Sequence, residues 1–309
     1  MKCWFFILSV LLLGFHLSTI KQPPVITDEI ETAQYSQHFT YTQPHQPVYA
    51  YGAQPFWFEV LHATNAGIYG GRVISIVCGV LALMILATMW SGEAGVWALS
   101  LFAFGGLWFF QVWTHTSRPE SWILLLAICQ IACPVIWWGF IAGLACGLHP
   151  AALPVMGIGY WLLDRQHFPR YALYCAAGMF IVYECVNWHD FMQFMDYNLN
   201  VYKDIGSPII AHWREPLRMI RWAWADGCVS VMRPFKGAEF LFKTAIVGGI
   251  VQAFRNYRTL SELAKFSLWY GLILWTGFIF LNPHPTSIYG IYALPFLWIP
   301  LVESIRATL

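Results

Sequence analysis

An all-α transmembrane bundle of about ten passes is the architecture this sequence predicts, as one integral-membrane domain over residues 1–309. Three observations predict it. The chain is 58% apolar and only 11% charged, where a water-soluble domain carries about a quarter of its residues charged. Apolar runs of membrane-spanning length recur from one end to the other. Arg and Lys cluster at the ends of those runs, where side chains reach water.

The runs lie near 4–20, 72–90, 96–113, 121–133, 135–148, 151–163, 171–187, 238–254, 266–281 and 286–303. The first, "MKCWFFILSVLLLGFHLSTIKQPP", has one early Lys and no small-x-small cleavage site, so an uncleaved first helix is expected. Runs between 121 and 163 are short and punctuated by Pro134 and by "GLHPAALP". They read as half-length or re-entrant pieces that shelter a cavity. Orientation follows from short basic loops: "DRQHFPR" carries Arg165 and Arg170, and "RNYRTLSELAK" carries Arg255, Arg258 and Lys265. With the N-terminus cytoplasmic, both loops are cytoplasmic, in the inner membrane of a cell. The same threading sends outward 21–71, "HTSRPES", the turn at "LHP", 188–237 and "NPHPTS". A net charge of +1 says nothing of nucleic acid, and with no Lys/Arg block to form a binding tail no nucleic-acid partner is expected. Seven of the 8 cysteines (all but Cys228) lie in apolar segments, which gives neither a disulfide framework nor a metal spacing. Cys129 and Cys133 read as packing residues that share a helix face.

The candidate chemistry is on the outer side. "VITDEIETAQYSQ" puts Asp28, Glu29 and Glu31 within one helical turn, in a chain with 16 acids in all. Such a cluster can be a plain solvated helix mouth. Its company argues for more. "HTSRPES" returns Arg118 and Glu120 to the same face, and His149 and His284 sit beside prolines at turns there. In "HWREPLRMIRWAWAD", Arg214, Arg218 and Arg221 are spaced i, i+4, i+7, beside a stripe of Leu217, Ile220 and Trp224. That is either an interfacial helix that steadies the fold or a grip on phosphate, which Arg binds through two parallel hydrogen bonds. Glu184, with His189 and Asp190 beyond it, is a further cavity-lining candidate. A carboxylate with cations at one membrane level is what glycosyl transfer from a lipid-phosphate sugar requires. The carboxylate takes the proton of the acceptor hydroxyl, and the cations stabilise the departing phosphate.

"VITDEIETAQYSQHFTYTQPHQPVYAYGAQPFW" resembles the first outer loop of the GT-C membrane glycosyltransferases. The likeness is to the branch that uses dolichyl- or undecaprenyl-phosphate sugars, with the protein O-mannosyltransferases and the lipid A aminoarabinose transferase. Asp-Glu follows the first helix, "HQPVYAY" stands loosely for a Pro-Pro-Leu-x-x-Trp-like segment, and Arg72 in "YGGRVISIVCGVLAL" matches an Arg at the second helix. "SRPESWILLLAI" resembles the start of their fourth helix, "WWGFIAGLACGLHPAALPVMGIGYWLLDR" their Gly-rich fifth and sixth, and "YGIYALPFLWIPL" a late helix. The match covers residues 5 to 170 and the rest in outline. Two departures stand out: the chain is short and carries no appended outer domain, and "HQPVYAY" lacks the second Pro and the Trp.

The resemblance implies the layout of an inverting mechanism, with Asp28 as catalytic base and Glu29 in support, although local chemistry does not separate the two. It implies Arg72 at the substrate, Arg118 on the donor phosphate or fixing the base, and Glu120 orienting Arg118. His149 is a substrate-side candidate with Arg214, Arg218 and Arg221, although a capped-turn role fits it as well. The expected partners are a lipid-linked sugar donor, membrane lipids and an acceptor of lipid, glycan or protein kind, in cell-envelope assembly. No cofactor is expected in this branch, while other members of the wider fold hold a divalent ion between outer-loop acids. Two rival functions fit the same composition: a transporter or flippase for an anionic lipid or solute, and a non-catalytic subunit of envelope-polysaccharide assembly. The first calls for charges at mid-membrane and paired broken helices, and the second for an Asp28 that can be replaced without effect.

Overall fold

The computed structural model of the chain describes residues 2–21, 55–65, 67–90, 95, 117–185, 236–281 and 291–306. Those residues are helical, with no strand among them. In chain order the helices are α1 Lys2–Ser18, α2 Pro55–Thr64, α3 Gly67–Trp90, α4 Glu120–Ala132 and α5 Trp138–Ala145. They continue with α6 Ala152–Leu163, α7 Phe168–Cys185, α8 Lys236–Arg255, α9 Glu262–Leu281 and α10 Leu294–Arg306. The expected span at 96–113 lies outside the described residues, as do the outer segments 22–54 and 186–235.

Among the described residues one helix, α3 with 24 residues, is long and apolar enough to cross a bilayer. The short pieces expected over 121–163 are α4, α5 and α6, of 13, 8 and 12 residues. At 1.5 Å per residue none reaches the ~30 Å of a hydrocarbon core. Proline sets one of their limits: Pro134 disfavours helical backbone at Cys133, which ends α4 with φ −142°. Cys133 is therefore exposed beyond the helix, and not the packing residue on a shared face with Cys129 that the sequence suggested.

Helix α2 was not foreseen, because its residues belong to a polar-looking outer segment. Proline at its first position costs no hydrogen bond, and Trp57 and Leu61, four apart, are buried on one face. Asn65 (φ 46°) and Gly67 (φ 56°) then turn the chain into α3. Both residue types tolerate this left-handed backbone better than others. Helix α3 thus begins more than a turn before Arg72.

The closest helix pair is α5 against α7. A Cβ on Gly139 would collide with the Tyr171 carbonyl, one on Gly143 with the Cys175 carbonyl, and one on Gly178 with the Phe140 carbonyl. Small residues four apart let two backbones touch, the packing favoured where no water drives helices together. Several polar groups inside the bundle are paired across helices. Gln130 Nε2 donates to the Met156 carbonyl at 2.8 Å, Tyr171 donates to Gln130 Oε1 at 2.9 Å, and Tyr270 donates to the Val155 carbonyl at 2.7 Å. These bonds join α4, α6, α7 and α9 where an unpaired group would be costly.

The bundle has two distinct ends. At one, Glu303 of α10 accepts from Trp90 Nε1 of α3 at 2.6 Å and from the Ser261 hydroxyl at 2.5 Å. Ser261 also caps α9, accepting the Ala264 N–H at 3.2 Å. At the other end, Arg72 Nη1 donates to the Ile20 carbonyl past α1 at 2.8 Å, and the Ser75 hydroxyl donates to the Arg118 carbonyl at 2.5 Å. Between the ends, large apolar side chains face outward on several helices: Val10 and Leu11, Leu81, Val251 and Phe254, with Leu173 at 70% and Phe180 at 64% exposure.

Candidate functional site

The site is built around the start of α4. Pro119 cannot continue a helix backward, so α4 opens at Glu120, and the Pro119 carbonyl accepts the N–H groups of Trp122 and Ile123. Glu120 in the first turn places a carboxylate at the positive end of the helix dipole. Its position is then fixed from three sides. Ser75 of α3 holds the Arg118 carbonyl, and Trp57 Nε1 of α2 donates to the Ser117 carbonyl at 3.3 Å. The Phe56 N–H at the start of α2 donates to the Gly147 carbonyl of the α5–α6 turn at 2.8 Å. Phe56 covers Gly147 so closely that no Cβ would fit there.

Arg118 and Glu120 form an ion pair. Arg118 Nε donates to Glu120 Oε1 at 2.8 Å, and Nη2 reaches the same oxygen at 2.7 Å. The Glu120 side chain is 1% exposed and that of Arg118 17%. Glu120 Oε2 is buried and has no hydrogen-bond partner. Burying an ion pair is costly unless its hydrogen bonds are completed, so this carboxylate is under-satisfied on one side.

His149 joins the pair electrostatically. It sits in the α5–α6 turn and is partly buried. Its Nδ1 accepts the Ala151 N–H at 3.0 Å, which places the proton of the neutral ring on Nε2. Desolvation lowers its pKa to about 4; the Glu120 charge opposes this and the Arg118 charge adds to it. A neutral imidazole is thus the resting form at neutral pH. The capped-turn role and nearness to the charged pair are both present in the one residue.

Arg72 is fully buried. One of its nitrogens is committed to the Ile20 carbonyl, which ties the end of α1 to α3. Its guanidinium also lies 5.9 Å from the centre of the Tyr69 ring. The residues expected to act as base and second cationic group, Asp28, Glu29, Arg214, Arg218 and Arg221, lie outside the described residues. So do Glu31, His189, Asp190 and His284, and the side chain of Glu184. Among the described residues, no three His, Cys, Asp or Glu side chains converge on a point where a metal ion could sit.

Sequence reasoning missed Trp57, Ser75 and Glu59. Glu59 of α2 has one carboxylate oxygen buried without a partner. An acid inside "PFWFEVLHAT" was the available signal for it, whereas a serine within an apolar helix gives none. Gln130 was missed for the same reason as Ser75. Comparison with protein-family models, with curated proteins and with solved structures returned no match.

Proposed function

We propose that the chain is a multi-pass membrane glycosyltransferase of GT-C type, working on the outer face of the inner membrane. It would move a sugar from a polyprenyl-phosphate donor to a lipid, glycan or protein acceptor. The observation that carries the reading is the buried Arg118–Glu120 pair beside neutral His149, at one end of a bundle of short helices. That end is also where residues 22–54 attach: Ile20 is bound by Arg72, and Phe56 by Gly147.

The outward-facing Leu, Val and Phe side chains on α1, α3, α7 and α8 support insertion in lipid, since water-soluble chains bury such surface. Aromatic and basic groups meet at the Glu303 end, where the Arg165 guanidinium lies 4.3 Å from the Trp161 ring centre. Trp and Arg so paired suit a headgroup region on the cytoplasmic side. In the reaction, Asp28 takes the proton of the acceptor hydroxyl as that oxygen attacks the anomeric carbon and the lipid phosphate departs. Arg214, Arg218 and Arg221 balance the phosphate charge. Arg118 holds Glu120 in place.

The test compares wild type with Asp28→Asn, both purified in detergent. Each receives radiolabelled polyprenyl-phosphate sugars, with membrane extract as acceptor. Transfer by wild type and a loss on the order of 100-fold in the variant is the expected result. Donor binding with no turnover by wild type would instead identify a carrier or an accessory subunit.

A further inference from the structure

We infer that Glu120 Oε2 is a binding point for a sugar hydroxyl of the lipid-linked donor, with Arg118 as the residue that holds it in position. This rests on the transferase reading above and assigns Glu120 a direct contact with substrate, beyond orienting Arg118.

Three features lead there. Two of the Arg118 nitrogens, Nε and Nη2, converge on Oε1, whereas a side-on pair would give one to each oxygen. The whole acceptor capacity of Oε2 is left over, in a side chain only 1% exposed. A buried oxygen of a charged group without a donor is among the costlier omissions in a fold. Elsewhere in this bundle the buried polar groups of Gln130, Tyr171 and Tyr270 find partners in adjoining helices. Glu59 Oε1, Ser121 Oγ and Ser267 Oγ are also buried without a partner, and Glu120 Oε2 differs from them in belonging to a carboxylate whose other oxygen already holds an arginine.

Charge selects the ligand. Arg118 neutralises Glu120, and the His149 ring, with Nδ1 accepting the Ala151 N–H, is in its neutral tautomer. A neutral O–H donor completes Oε2 without adding charge to a buried place. An ammonium would leave a net positive charge there, and a phosphate would meet the carboxylate's repulsion. Of the parts of a polyprenyl-phosphate sugar, the hydroxyls alone fit. Glu120 itself is in the first turn of α4, at the end of the bundle where Arg72 binds the Ile20 carbonyl.

The experiment is a binding measurement, independent of turnover, on the detergent-solubilised full chain. The probes are tritiated polyprenyl-phosphate mannose, glucose and 4-amino-4-deoxyarabinose, the monodeoxy analogues of the first two, and sugar-free polyprenyl phosphate. Glu120→Gln keeps an oxygen for Arg118 and places an amide N–H₂ where Oε2 stood. Expected is about tenfold weaker binding of the neutral sugar donor to Glu120→Gln, with sugar-free polyprenyl phosphate bound as by wild type. One deoxy analogue should weaken wild type equally and lose nothing further on the variant, the non-additivity of a direct contact. Glu120→Asp, which keeps the charge and retracts the oxygen, serves if the amide variant fails to bind sugar-free lipid. It should show a smaller loss confined to the same hydroxyl. Equal binding by all proteins, equal sensitivity to every deoxy analogue, or binding of the amino sugar alone overturns the assignment. Binding that behaves as expected without transfer by wild type would remove the enzyme reading and leave the assignment standing. Transfer by wild type with Glu120→Gln unaffected would do the reverse, and no binding of any lipid-linked sugar would remove both.

Discussion

The two ends of the bundle carry similar charged residues and treat them in opposite ways. At the Glu120 end, acid and arginine are folded inward, at 1% and 17% exposure. The Glu303 end has pairs that stay in solvent: Lys265–Glu262 at 2.7 Å has its acid 91% exposed, and His167–Asp164 is open on both sides. There the hydrogen bond from His167 holds Asp164 below the usual carboxylate range, an ordinary surface effect. Solvated pairs of this kind add little to stability because water competes for both partners. A buried pair is retained at a cost, and here one carboxylate oxygen of the pair is left unmatched.

Removing one partner from each pair breaks the comparison most directly. Glu120→Ala leaves the largely buried Arg118 charge without its acceptor, and should cost about 3–5 kcal/mol in thermal unfolding in detergent. Next in size is a pH effect from His149, whose folded pKa of about 4 lies below its ordinary 6.5. The unfolded chain binds the proton first, so stability is complete above about pH 6.5 and falls as pH drops toward 4. The loss is no more than about 3 kcal/mol. It should vanish in His149→Asn, whose Oδ1 can still accept from Ala151. A fall of the same size in both proteins would refute it. Third, Gly143→Ala drives a methyl into the Cys175 carbonyl and should cost about 1–3 kcal/mol. Gly157→Ala in α6, with nothing within 4 Å of the added Cβ, should be neutral or gain up to ~1 kcal/mol of helix propensity. Smallest is Lys265→Ala at the other end, with less than about 0.5 kcal/mol. A large effect there would erase the distinction between the ends.

Much of the helical layout was legible because it follows from local rules. Apolar runs bounded by Pro134, by "GLHP" and by the basic turns mark α4 to α9 to within about four residues, whereas α10 begins at Leu294, well inside the run expected from 286. Helix α2 was not legible: its amphipathic face exists only once Trp57 and Leu61 have α3 to bury against. Arg72, which the resemblance sets at the substrate, has a structural tie that no local rule shows, since its bond to the Ile20 carbonyl joins residues 52 apart in the chain.

By itself, then, the sequence determined most of the helical segments, α2 excepted, and which residues would be charged at each end, since both depend on neighbours within a turn or two of chain. Tertiary structure alone decided that Arg118 spends two donors on one oxygen of Glu120 and that Nδ1 of His149 is an acceptor. It also decided that Glu303 clasps three helices and that α5 and α7 touch backbone to backbone. Each of these is a contact between groups separated by folding, whose burial sets the cost of leaving a charge unmatched, and burial is a property that no short stretch of sequence contains.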